Sequence, residues 1–186
     1  MTIRTFWAPA AFSLLVLGGC SSTPVSPQVK ELHQEVSQLN QQMRKLTNQA
    51  TALEIQGQLN SQSNQGAWLL PQANTPVELQ TQLGKLRLSL SQVAGEASGS
   101  RANLNIRSTD DQPIPALRAT VVWGEMDPAS GKPLTAGSLS QTIDVPAELM
   151  PRSSVSVPLR LSGLTPDQLG YVRVHDVEPS AAKSMP

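Results

Sequence analysis

The sequence has little cysteine, histidine, aromatic content and charge, and each shortage excludes a class of function. Cysteine occurs once in 186 residues, so no intrachain disulfide or multi-cysteine metal cluster can form. Two histidines leave little for a metal site, and no metal or cofactor is expected. Aromatic residues make up 3%, too few for a surface that stacks bases or sugars. The 14 basic and 14 acidic residues balance, so no nucleic-acid partner is expected.

One apolar segment near the start of the chain has the length of a targeting signal. Arg4 precedes an apolar run over 6–17 that is interrupted only by Pro9 and Ser13. This run matches the ~7–15 residues of a signal-peptide core and is too short to span a bilayer as a helix. No other stretch is long and apolar enough to span one. Residues 1–19 are therefore predicted to be a signal peptide.

The run ends in Leu17-Gly18-Gly19-Cys20, which resembles the lipobox of bacterial lipoproteins. The resemblance implies cleavage between Gly19 and Cys20, a diacylglyceryl group on the Cys20 thiol, and acylation of the new amino group with chains such as palmitate. The alternative is an ordinary signal peptide followed by a free cysteine. Lipoproteins retained in the inner membrane usually carry Asp at the next position, so Ser21 implies the inner leaflet of the outer membrane, facing the periplasm.

Residues 20–28 are predicted to be a lipidated tether, because their prolines prevent a regular helix before Pro27. From residue 29 on, apolar residues recur at alternating intervals of 3 and 4 over four heptads, which predicts a helix over 29–56. We call the repeating apolar set the seam: Val29, Leu32, Val36, Leu39, Met43, Leu46, Ala50 and Leu53. The seam favours a homo-oligomeric coiled coil. A lone helix and a helix docked on its own domain remain as alternatives, since the flanking positions are mostly uncharged.

Residues 57–67 are rich in Gly, Ser, Asn and Gln and are predicted to be a linker. In the domain that follows, over 68–179, apolar residues alternate with period two in short segments separated by turn signals. This pattern predicts a mainly β fold, an antiparallel β-sandwich, preceded by the heptad helix. Residues 180–186 form a tail. The predicted strands lie at 86–90, 102–106, 117–123, 139–145, 155–161 and 172–174.

Two details of the β-domain predict local structure. Pro158 lacks an amide hydrogen, so its strand is expected at a sheet edge. The segment 165–170 has a capping Thr, an early Pro and a closing Gly, which predicts one helical turn. It leads into Tyr171 in a way similar to the tyrosine corner of immunoglobulin-like sandwiches. The alternation argues against a tyrosine corner, because Val172 and Val174 are expected to point to the core from the face opposite to Tyr171.

The stretches 68–93, 113–126 and 151–179 resemble the YajI-type lipoproteins of enteric bacteria, and LTPDQLGYVRVHDVEP is the most specific part of the resemblance. Those are uncharacterised envelope proteins with a lipobox, a short coil and one β-rich domain. The resemblance therefore implies a lipid-anchored envelope protein. The family has no known activity, so it supplies no functional residues.

Motifs for catalysis are missing from the sequence. It has no G-x-S-x-G, P-loop or H-E-x-x-H pattern, and lipidation would consume the thiol of Cys20. His175 and Asp176 form the best remaining pair, but neighbours on a strand point to opposite faces and are not expected to form a dyad. Asp110 and Asp111 are expected to cap a turn.

The sequence therefore predicts a non-enzymatic, lipid-anchored envelope protein. It would present a β-domain in the periplasm to an unidentified envelope protein, or form a homo-oligomer through 29–56. The alternative is a hydrolase or ligand-binding protein that acts on cell-wall material. A deep pocket lined by two or more carboxylates would favour this alternative, because glycoside cleavage needs such a pair.

Overall fold

The computed structural model describes residues 27–61, 63, 65–145 and 148–180. The predicted signal peptide, the cleavage site at Gly19 and Cys20, most of the tether and nearly all of the tail lie outside these residues. The chain divides into two compact units, Met1–Asn40 and Gln41–Pro186. In the first unit the structure describes one element, the N-terminal part of a helix.

That helix, α1, spans Pro27–Ser61 and confirms the helix predicted from the heptads. It begins at a proline, whose fixed φ suits the first helical position. The predicted end at residue 56 is wrong, because the helix includes Gly57 and the first residues of the predicted linker. A glycine inside a helix costs only about 1 kcal/mol. Contacts of Gln56 and Asn60 with the β-domain, described below, hold the last turns in place.

Eight strands form two antiparallel sheets packed as a sandwich, which confirms the predicted fold class. Sheet I has the order β1-β8-β5-β6 and sheet II the order β2-β3-β4-β7. The strands are β1 Ala67–Leu69, β2 Val77–Thr81, β3 Gly84–Glu96, β4 Gly99–Ser108, β5 Leu117–Gly124, β6 Leu139–Val145, β7 Ser154–Ser162 and β8 Tyr171–Pro179. The pattern did not identify β1 and β2, which are too short to show clear alternation.

The core lies between the inner faces of the two sheets. Alternate residues of the strands point into it, and Leu104 of β4 and Leu161 of β7 are completely buried. Trp123 of β5 donates a hydrogen bond from Nε1 to the carbonyl oxygen of Ser162 at 3.0 Å, which joins sheet I to sheet II. Strand β7 is an edge strand, as Pro158 predicts.

A second, smaller apolar cluster lies on the outer face of sheet I. There the C-terminal part of α1 packs against β8, β5 and the segment after β1. The cluster consists of Ala52, Ile55 and Leu59 of the helix together with Trp68, Leu70, Ala73, Val122, Met126 and Tyr171. Strand β8 therefore has apolar residues on both faces, since one face meets the sandwich core and the other meets the helix.

Tyr171 owes its burial to this helix and not to a tyrosine corner. Its hydroxyl donates to the carbonyl oxygen of Leu134 at 3.2 Å, a residue far upstream in sequence, whereas a corner tyrosine bonds to backbone only a few residues away. The centroid of its ring lies 5.1 Å from that of the Trp68 ring. On Trp68, the guanidinium carbon of Arg173 lies 4.9 Å from the ring centroid. Burial raises the pKa of Tyr171.

Candidate functional site

The seam is exposed along its whole length. Its large side chains in the first unit are Val29, Leu32, Val36 and Leu39, and those in the second are Met43, Leu46 and Leu53. Their exposed fractions lie between 42% and 65%, and Ala50 is exposed as well. A row of exposed aliphatic side chains at heptad spacing is unusual on a protein surface and is typical of an interaction face.

The helix docks on its domain through a different face. Ala52, Ile55 and Leu59 occupy heptad positions c, f and c, which lie opposite the a and d positions of the seam. The predicted coiled coil and the alternative of a docked helix are therefore compatible, because docking leaves the seam exposed. The structure shows docking for the C-terminal part of α1.

Two side-chain amides fix this docking. Gln56, which is 3% exposed, accepts a hydrogen bond from the Leu70 amide at 2.8 Å and donates one to the Thr75 carbonyl oxygen at 3.2 Å. Asn60 pairs with the backbone of Trp68 in both directions, accepting from its amide at 2.9 Å and donating to its carbonyl oxygen at 2.8 Å. These bonds specify the position of the helix along β1.

We expect Gln56→Ala to lower the free energy of unfolding by about 2 kcal/mol, because it leaves a buried amide and a carbonyl without partners. Gln58→Ala is the matched control. Gln58 is exposed on the same turn and its one side-chain bond goes to Glu54 at 3.4 Å. Urea unfolding measures both variants. Equal stability of the two would contradict the assigned role of Gln56.

A cleft of about 460 Å³ lies beside the docked helix and is lined by three carboxylates, those of Glu125, Asp127 and Asp167. Three carboxylates meet the count that glycoside hydrolysis needs, but Asp127 is not suited to be the general acid. A general acid needs a raised pKa. The pKa of Asp127 is instead lowered, because its carboxylate accepts hydrogen bonds from the Ser130 hydroxyl and the Ala129 amide. Asp127 therefore acts as a turn cap.

The expectation for His175 and Asp176 is wrong. Nδ1 of His175 lies 2.8 Å from Oδ2 of Asp176, so the two neighbours do form a dyad. Asp176 has a φ of 51°, and the pairing of β5 with β8 shifts register between Arg118 and Thr120. This bulge brings adjacent side chains together.

The dyad lines a shallow opening on the surface. Among the described residues that line it, one carries a hydroxyl group that could act as a nucleophile. That hydroxyl belongs to Thr81 and donates to the carbonyl oxygen of Gly84 at 2.7 Å. It is therefore occupied in the turn between β2 and β3, and the arrangement supplies no nucleophile that His175 would activate.

The two neighbouring aspartates of the 108–113 turn differ in their partners. Asp110 accepts a hydrogen bond from the Lys85 amide at 2.7 Å and so ties the turn to β3. Asp111 pairs with Arg152 at 2.8 Å, and both side chains are exposed. Both contacts are structural.

Within the part of the chain that the structure describes, no group of three or more His, Cys, Asp or Glu side chains is arranged to hold a metal ion. No helix in that part has both the length and the apolar character needed to cross a membrane.

Comparison with known proteins identifies the family. The profile of the family described as "Protein of unknown function (DUF3251)" matches residues 24–183. The chain belongs to the DUF3251 family. It is similar to the uncharacterized lipoprotein YajI of Escherichia coli strain K12, with 37% identity over 171 residues, which cover 90% of this chain and 96% of YajI. This confirms the resemblance to YajI-type proteins.

Solved structures support the DUF3251 assignment and the fold. The solution NMR structure of YajI from Escherichia coli has a TM-score of 0.66 at 36% identity, covering 71% of this chain and 79% of that one. The Salmonella enterica trimeric lipoprotein SadB has a TM-score of 0.53 at 21% identity, covering 81% of this chain and 80% of SadB. At that identity the likeness to SadB concerns the fold alone.

Proposed function

We propose that this DUF3251 protein is a non-enzymatic lipoprotein of the cell envelope that self-associates through the seam and presents its β-domains to the periplasm. The observation that carries the proposal is the exposure of every seam residue, including those in the C-terminal part of α1, where the protein's own domain occupies another face. The name of SadB, a trimeric lipoprotein, supports self-association.

Lipid attachment at Cys20 would set the geometry of this association. Copies anchored in one leaflet have their N-termini on the same side, so their helices meet in parallel. Val at two a positions and Leu at the d positions suit a parallel coiled coil. The described e and g positions are mostly uncharged, which favours contact between identical helices over a charge-selected partner. We propose the inner leaflet of the outer membrane as the site of anchoring, on the basis of Ser21.

Self-association is tested by sedimentation equilibrium of the protein that begins at residue 21, which removes any contribution of the lipid. We expect an oligomer at micromolar concentration. A monomer at high micromolar concentration would refute association through the seam, and it would leave the lipid anchor unaffected.

We expect Cys20→Ser to abolish incorporation of labelled palmitate and to release the protein from membranes after a carbonate wash. The reason is that two or three acyl chains are needed for lasting anchoring and all depend on this residue. Ser21→Ala serves as the control and should still incorporate palmitate. The anchor proposal fails if the unaltered protein takes up no label, or if the Cys20 variant stays with the membranes.

A further inference from the structure

The outer face of sheet II carries a set of exposed cations that the seam, the docked helix and the core do not use. Alternation along the strands turns these side chains away from the core, where Ala102, Leu104 and Ile106 of β4 are buried. We call this surface the basic face. Its cations are Lys85, Arg87, Arg101, Arg107 and Arg160.

Four of these arginines face each other across strands. Arg87 of β3 is directly opposite Arg107 of β4, and Arg101 of β4 is directly opposite Arg160 of β7. Like charges in directly opposite positions destabilise a sheet. Among the described residues, none of the four lies within 4.0 Å of a carboxylate oxygen. Glu78 of β2 is directly opposite Arg87, so this pair has one neighbouring carboxylate, whereas no carboxylate is directly opposite Arg101 or Arg160. The five cations of the basic face outnumber its carboxylates, those of Glu78 and Glu96, which suits an anionic ligand.

A bulge in β3 forms a groove next to one of these pairs. The register shifts between Ser91 and Ala94, where Gln92 has a φ of 53°. The resulting groove of about 620 Å³ is lined by both Arg101 and Arg160. Gln92 and Asn103 also line it and bond to each other at 2.9 Å. Glu96 is the one carboxylate at the groove, and it pairs with neither arginine.

The spacing of the pairs indicates an elongated ligand. Arg101 and Arg107 lie ~20 Å apart along β4, at ~3.3 Å per residue. The outward side chains between the two pairs are neutral hydrogen-bonding groups and include no aromatic or large apolar residue. They are Ser89, Ser91, Asn103, Asn105 and Ser156, and the exception is Pro158, which is opposite Asn103 and has no hydrogen-bonding side chain.

We propose that the basic face binds an anionic polysaccharide. The arginine pairs would hold its phosphate or carboxylate groups, and the amides and hydroxyls between them would bond to its sugar hydroxyls. This site is separate from the seam and does not depend on self-association or on lipid attachment.

The chemistry of the face argues against other anionic partners. Single-stranded nucleic acid needs rings for stacking, and the described aromatic side chains Trp68, Trp123 and Tyr171 pack elsewhere. A protein interface needs apolar or aromatic anchors at its centre, and insertion into a bilayer needs apolar side chains. The exposed large apolar residues that the structure describes lie on α1, in β6 and in loops, and not on this face.

Binding is tested with the full chain in a non-ionic detergent and polygalacturonate as the anionic probe, measured by calorimetry at low salt. We expect binding that weakens as salt is added, and no binding to neutral dextran of equal length. Arg101→Gln with Arg160→Gln should weaken binding about tenfold or more, because both guanidinium groups of one pair are lost. Arg118→Gln with Arg152→Gln changes the net charge equally at exposed arginines elsewhere and should have little effect.

Three results would overturn the proposal. Absence of binding to polygalacturonate is the first. Equal loss in both double variants is the second, since it would indicate a response to net charge alone. The third is tighter binding to polyglutamate or to anionic phosphatidylglycerol vesicles than to polygalacturonate, which would indicate a protein or a membrane as the partner. Circular dichroism of each variant checks that the fold is retained.

Discussion

Replacement of Leu32, Leu39 and Leu46 together by glutamine is expected to dissociate the protein into monomers without unfolding it. Burial of a leucine contributes about 1.5–3 kcal/mol, so loss of three from the seam weakens association about a thousandfold or more. Glutamine has nearly the helix propensity of leucine, so α1 is retained. All three side chains are exposed in the single chain, so their loss leaves its folding intact.

The control replaces Lys30, Ser37 and Arg44 by glutamine. These residues are exposed b positions of the same heptads and lie off the seam, so the oligomer should persist. Sedimentation equilibrium gives the dissociation constants and circular dichroism gives the helix content. If the leucine variant sediments like the unaltered protein, the seam is not the interface.

In the proposed assembly, the exposed seam and the docked face would give α1 two separate tasks. The docked face, through Gln56 and Asn60, fixes the β-domain to the C-terminal part of the helix. The seam is exposed along the same helix and would be available to other copies. In an assembly of parallel helices, a domain docked opposite the seam would lie on the outside. Its surface would then be available to ligands while the helices associate.

The strands that alternation predicts are those with long, regular patterns. Strands β5 and β6 match the predicted 117–123 and 139–145 almost residue for residue, because one face of each meets an aliphatic core. Strand β1 has three residues and β2 has five, which is too few for period two to stand out. Periodicity likewise predicts the seam residues, because a heptad repeat is visible in sequence alone.

The docked face could not be predicted in the same way. Its apolar residues are only Ala52, Ile55 and Leu59, a stripe about two turns long, and its other contacts come from the polar amides of Gln56 and Asn60. Burial of Tyr171 likewise depends on contacts with a helix distant in sequence. The dyad of His175 and Asp176 depends on a bulge, and a bulge depends on pairing with another strand.

The basic face also could not be predicted from the sequence. The chain has equal numbers of basic and acidic residues, and this balance gives no indication that several basic residues lie together on one surface. Arg87 and Arg107 are far apart in sequence, as are Arg101 and Arg160. They become neighbours only through the register of β3, β4 and β7. The register between paired strands cannot be predicted from a single sequence.

Two alanines of α1 provide the sharpest test of its two faces. Ala52 is 6% exposed and packs against sheet I, whereas Ala50 is exposed on the seam. We expect Ala52→Glu to lower the free energy of unfolding by at least about 3 kcal/mol, because a carboxylate would be forced against an apolar cluster that offers it no partner. We expect Ala50→Glu to leave this free energy unchanged in the monomer and to weaken self-association.

The two substitutions are matched in size, charge and helix propensity, so a difference between them reports the environment of each face. Urea unfolding is measured at concentrations low enough for the monomer to dominate, because association itself adds to apparent stability. Sedimentation then compares the dissociation constants. If both variants lose the same free energy of unfolding, Ala52 is no more important for docking than Ala50. If Ala50→Glu has the dissociation constant of the unaltered protein, Ala50 does not lie in the interface between copies. Either result would contradict the division of the helix into a docked face and an associating face.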